Sequence, residues 1–105
     1  MDRFENVTAI KKANVYFNGG VTSRTVLLQD GTRKTLGIVM PGEYEFATAD
    51  EEQMEVLGGT IKALLPGSGE WAAFAEGQSF TIPANSSFKI LAEQVADYCC
   101  SYIKK

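Results

Sequence analysis

Gly77-Gln78-Ser79-Phe80-Thr81-Ile82-Pro83-Ala84-Asn85-Ser86-Ser87-Phe88 carries the strand–turn–strand pattern on which the whole fold is built. Phe80-Thr81-Ile82 reads as a strand, Pro83-Ala84-Asn85-Ser86 as a turn, and Phe88-Lys89-Ile90-Leu91 as the strand that follows. The same grammar extends in both directions. Upstream, Val21 to Leu28 and Arg33 to Met40 are β-branched, apolar runs separated by Gln29-Asp30-Gly31-Thr32, and Pro41-Gly42 ends the second. Tyr44, Phe46 and Thr48 alternate with Glu45 and Ala47, so the first three share a face. Gln53 to Leu57 stops at Gly58-Gly59, Thr60 to Leu65 at Pro66-Gly67-Ser68-Gly69, and Trp71 to Phe74 at Glu76-Gly77. Ala96 to Ile103 is the last strand. Only Ala49 to Gln53 has helical character, and it is too short for a stable helix. Roughly nine to eleven short strands at this spacing predict an all-β sandwich or barrel in one domain. A sheet of that size must close or pack face to face to hide its edges. Residues 1–14 read as an N-terminal extension or an edge strand.

Composition agrees with one globular domain. At 105 residues the chain buries roughly two-thirds of its unfolded surface. It is 45% hydrophobic and 22% charged, and its net charge of −3 disfavours nonspecific nucleic-acid binding. No run is long enough to cross a bilayer, and Met1 to Asn6 lacks the apolar core of a secretory signal. Cys99 and Cys100 are adjacent, which is not a disulfide framework, so a reducing cytoplasm is expected. Histidine is absent. That removes the commonest transition-metal ligand and the commonest acid–base group near neutral pH. Chemistry here must come from carboxylates, tyrosines, arginines, lysines, hydroxyls or backbone N–H groups.

The Gly77 to Phe88 stretch resembles the second cupin motif, with Asn85 at the second glycine and Phe88 at the metal-binding histidine. Asn tolerates the left-handed backbone that the glycine position needs. Gly42 to Gly59 echoes the first motif: Glu52 keeps the acidic ligand, while Phe46 and Thr48 stand at the two histidines. One remaining carboxylate does not make a metal site, and no metal or cofactor is expected. The resemblance implies a cupin-type, jelly-roll-like β-barrel. A narrower resemblance covers residues 15–103. Gly37-Ile38-Val39-Met40-Pro41-Gly42-Glu43-Tyr44-Glu45-Phe46-Ala47-Thr48, Glu52 to Val56, Leu64-Leu65-Pro66 and Tyr98-Cys99-Cys100-Ser101-Tyr102 resemble the small bacterial pyrimidine/purine nucleoside phosphorylases. This implies a homodimer that cleaves nucleosides with inorganic phosphate, a pentosyltransferase releasing free base and pentose 1-phosphate with broad tolerance for the base.

Such a reaction needs a phosphate site, an acceptor for the sugar and a stacking surface for the base. Arg33 offers a planar fork for phosphate, although beside Asp30 and Gly31 it reads equally well as a solvated hairpin arginine. Glu52 is the choice for the sugar hydroxyls or for positive charge at the anomeric carbon, against a surface reading in the acidic run Asp50-Glu51-Glu52. Tyr44, Phe46 and Thr48 are candidate pocket walls, and Phe88 reads as core. Tyr98 and Tyr102 share a face of the last strand; packing competes with a place at the barrel mouth. Arg24 is a weaker phosphate candidate, and Lys34, Lys62 and Lys89 read as solvated. Trp71 reads as core or interface. Cys99 and Cys100 point to opposite faces, one of them buried and inert. Two rival classes stand beside the enzyme: a metal-free cupin that binds a small molecule without catalysis, and a metal-dependent cupin dioxygenase or isomerase, which the missing histidines oppose.

Overall fold

Among the described residues the alternating segments form eleven antiparallel strands in two facing sheets. The structure, a computed structural model, describes residues 2–103. The strands are β1 (Thr8–Ala9), β2 (Asn14–Tyr16), β3 (Val21–Leu27), β4 (Arg33–Val39), β5 (Gly42–Ala47), β6 (Glu51–Gly58), β7 (Thr60–Leu64), β8 (Ala72–Ala75), β9 (Ser79–Ile82), β10 (Ser87–Ala92) and β11 (Ala96–Ile103). The larger sheet runs β1-β3-β4-β11-β6-β9, with β2 also on β3; the smaller runs β5-β10-β7-β8. Their inward side chains bury one core, in which Val21, Val39, Val56, Ile61, Ile82 and Ile90 are fully enclosed. Burial alternates along β10 and at the start of β7, as a half-buried strand requires.

Ala49 to Gln53 forms no helix, as its shortness implied: β6 begins at Glu51, because pairing with β11 and β9 on its two sides outweighs a weak local propensity. One detail differs from expectation: the barrel is not one continuous ladder. Among the described residues the two sheets pair only within themselves, giving a cupin-like sandwich. The gap between edge strands β2 and β5 is closed by aromatic rings instead. Tyr16 meets Phe46 edge-on at 5.6 Å, and Phe17 packs on Tyr44 at 5.2 Å and on Phe46 at 5.4 Å. Phe17 and Asn18 reach this position with left-handed backbone, φ 52° and 55°, in the short 3-10 turn Phe17–Gly19. Asn85 also adopts φ 54°, the conformation foreseen for its turn.

Close approach explains Gly37. A Cβ there would stand 2.1 Å from the Thr22 carbonyl oxygen and 2.6 Å from the Tyr98 ring. The missing side chain leaves room for the tip of that ring against β4. Gly37→Ala is expected to destabilise the fold by about 3 kcal/mol or more. An unchanged midpoint in chemical denaturation would show that this approach does not matter.

Candidate active site

The central strand of the larger sheet organises the site. Alternate β11 residues Tyr98, Cys100 and Tyr102 face inward. Register sets Tyr98 between Gly37 and Val56, Cys100 between Thr35 and Met54, and Tyr102 beside Glu52. Ser23 on β3 and Thr35 on β4 are buried on the same wall. The facing sheet supplies Phe46 and Phe88, partners in register whose rings stack at 6.0 Å and 27°. Between these walls lies a cavity of about 150 Å³, lined on one side by Ser23, Thr35, Glu52, Tyr98, Cys100 and Tyr102 and on the other by Tyr16, Phe46, Ala47 and Phe88. That is below the roughly 300 Å³ at which small-molecule sites usually begin, so a larger ligand would reach past its opening.

Arg33 stands at one end of this wall. Its side chain is exposed, and its guanidinium carbon lies 3.9 Å from the centroid of the Tyr102 ring. The cation–π contact holds a long, mobile side chain in one place while leaving the N–H fork free to bind an anion. Arg33, Tyr102 and Glu52 therefore come from three adjacent strands and form one row.

The electrostatics follow from burial. Desolvation raises the pKa of Glu52, and hydrogen bonding to Cys100 and the positive charge of Arg33 oppose that rise. Burial raises Tyr102 to about 12, with the Cys100 sulfur adding to it and hydrogen bonding to Thr35 working against it. Burial likewise raises Tyr98, whose hydroxyl donates to the Thr22 carbonyl at 3.4 Å. At neutral pH both tyrosines are therefore neutral hydroxyl groups. Among the described residues no three His, Cys, Asp or Glu side chains gather as a metal cluster would require.

The predicted residues divide into two groups. Glu52, Phe46, Tyr98 and Tyr102 line the cavity, and Arg33 joins them through Tyr102. Tyr44 and Thr48 do not line it. The Tyr44 ring lies against Gly20 and Gly42, and its hydroxyl donates to the carbonyls of Met40 at 2.9 Å and Pro41 at 3.2 Å. The Thr48 hydroxyl donates to the Pro83 carbonyl at 2.7 Å and accepts from the Ser86 N–H at 3.0 Å, pinning the turn before β10. Phe88 is buried as core and is also cavity wall. Arg24 bonds the Lys11 carbonyl, Lys34 bonds Ser101, and Lys62 pairs with Glu93. The cysteine expectation needs correction: both thiols are buried, because Cys99 on the outer face is also covered. Sequence reasoning passed over Ser23, Thr35 and Tyr16. Counting by twos inward from Arg33 reaches Thr35, and a polar residue on an inward position was the available signal. Nothing in the sequence announces that Tyr16 closes a seam.

The two-sheet architecture with this central cavity is that of a cupin. A cupin-2 domain protein from Shewanella frigidimarina superposes with a TM-score of 0.66 at 19% identity, covering 78% of this chain and 79% of that one. A crystal structure of an Acinetobacter protein of unknown function superposes with a TM-score of 0.95 at 43% identity, covering 98% of this chain and 100% of that one. The family model described as pyrimidine/purine nucleoside phosphorylase matches residues 11–102. Relatives bearing that name include one from Syntrophotalea carbinolica, 64% identical over 99% of this chain and 100% of its own length. Another, from Clostridioides difficile, is 55% identical over 98% of both. The chain belongs to the pyrimidine/purine nucleoside phosphorylase family.

Both thiols are shielded, and desolvation raises the pKa of each. Neither is expected to react with a thiol-specific reagent in the folded protein, and both should react after unfolding. Rapid labelling of native protein at neutral pH would contradict this placement.

Proposed function

We propose that this chain is a nucleoside phosphorylase, a pentosyltransferase that uses inorganic phosphate as co-substrate and needs no cofactor. The observation that carries the reading is the row Arg33–Tyr102–Glu52 beside an aromatic cavity, in a chain of this family. Arg33 holds phosphate by charge-assisted hydrogen bonds. The phosphate oxygen forms a bond to the anomeric carbon as the carbon–nitrogen bond to the base breaks. The electron pair of that bond stays with the base nitrogen, and the proton of hydrogen phosphate accounts for the one the base gains. Positive charge develops at the sugar in an oxocarbenium-like transition state, and the Glu52 carboxylate stabilises it or binds the sugar hydroxyls. Phe46 and Phe88 present ring faces rather than donors and acceptors. Stacking without edge readout would let both purines and pyrimidines bind. Tyr98 and Tyr102 remain neutral; Tyr102 offers its hydroxyl to the sugar, while the Tyr98 oxygen, its proton given to the Thr22 carbonyl, is left to accept.

No helix among the described residues is long and apolar enough to cross a membrane. We place the enzyme in the cytoplasm as a homodimer, in keeping with two reduced cysteines and open sheet edges. Sedimentation at monomer mass across micromolar concentrations would contradict the dimer.

Base release from uridine and from inosine or adenosine should require phosphate and yield ribose 1-phosphate. Arg33→Ala should lower kcat/KM on the order of 10²-fold and raise the KM for phosphate, and Arg33→Lys should not restore it, since lysine lacks the fork. Glu52→Gln should impair turnover comparably. Release without phosphate would make the protein a hydrolase. Binding of nucleoside without turnover would make it a binding module.

A further inference from the structure

Cys100 is a buried side chain on the cavity wall that the reaction above does not use. Its sulfur lies 3.5 Å from Oε1 of Glu52, within reach of a sulfur hydrogen bond. This is the one side-chain hydrogen bond to Glu52 among the described residues. Cys100 is 3% exposed and sits on the central strand, with Thr35 and Met54 opposite it on the flanking strands, so neither backbone movement nor water readily replaces the contact. A thiol in this setting is a poor nucleophile. Burial keeps it protonated, and so does the adjacent Glu52 carboxylate, because a thiolate would stand beside a second negative charge.

We propose that Cys100 is a positioning residue for Glu52: its S–H donates to Oε1, holding the carboxylate ionised and turned toward the sugar. The inference rests on the phosphorylase reading. Among the described residues, the other titratable or charged groups acting on Glu52 are Arg33 on β4, Tyr102 on β11 and Asp50 in the preceding turn. Ile82 on β9 and the rings of Phe46 and Phe88 are the apolar neighbours.

Loss of the donor removes an interaction that lowers the carboxyl pKa, so that pKa rises. Activity that needs the carboxylate then falls away at a higher pH. In Cys100→Ala the acid limb of the kcat/KM profile for phosphorolysis should move up by roughly half a unit to one unit. In Cys100→Ser, where a hydroxyl donates in place of the thiol, it should stay at or below its wild-type position. Cys100→Val, without a donor, replaces the alanine variant if that does not fold, and Cys99→Ala reports the cost of altering the strand on its other face. An acid limb unmoved in the alanine or valine variant, with only thermal stability lowered, overturns the proposal and leaves Cys100 as packing. Glu52→Gln separates the two readings. If it keeps wild-type kcat/KM, the carboxylate role itself fails; if it is impaired while the cysteine variants keep the wild-type profile, only the positioning role fails.

Discussion

The site depends on the register of one strand. β11 lies between β4 and β6, and its pairing with each sets which side chains meet across it. Arg33 and Glu52 are nineteen positions apart in the chain, on strands that do not pair with each other. They become neighbours because Tyr102 stands beside Glu52 on one side and carries the Arg33 guanidinium on its ring. A slip of one residue would turn Tyr98, Cys100 and Tyr102 outward and bring Cys99 and Ser101 in. The row would be lost with the polar wall. Gly37 guards the same register, since no side chain fits between β4 and the Tyr98 ring.

The second constraint is closure. The sheets share a core but no ladder, so the gap between β2 and β5 must be sealed by side chains. Tyr16, Phe17, Tyr44 and Phe46 do this through edge-on and tilted ring contacts. Left-handed backbone at a bulky aromatic is costly, and Phe17 adopts it. Two ring contacts and the hydrogen bond from the Gly20 N–H to the Phe17 carbonyl hold the turn in place. Tyr44 therefore serves the seam with its ring and the neighbouring turn with its hydroxyl, which is why it stands away from the cavity.

Positions that carry histidines in the resembling cupin motifs here carry Phe46, Thr48 and Phe88, and each has other work. The two phenylalanines stack across β5 and β10 as one wall of the cavity. Thr48 uses its hydroxyl on turn backbone. Glu52 keeps its acidic place, now with Cys100, Tyr102 and Arg33 around it. The same barrel positions thus support a pocket with a polar wall facing an aromatic one. That division suits a molecule with a hydroxyl-rich part joined to a flat ring.

Much of this was legible from the chain alone. Period-two alternation and the Gly, Pro, Asn and Asp turns located the strands, because a strand between two media must alternate. The same periodicity put Tyr98 and Tyr102 on one face and grouped Phe46 with Tyr44 and Thr48, and the residues around Asn85 and Glu52 carried the family likeness. Three things had to wait for the tertiary structure. Whether Arg33 reached the site turned on long-range pairing through β11. Whether the Tyr44 and Thr48 hydroxyls were free turned on backbone carbonyls and N–H groups brought close by folding. Whether one thiol or both were buried turned on what covers the outer face of the larger sheet. Alternation is a local property that each strand carries by itself. Register, hydrogen-bond partners and cover belong to pairs of segments far apart in the chain, and only their packing decides them.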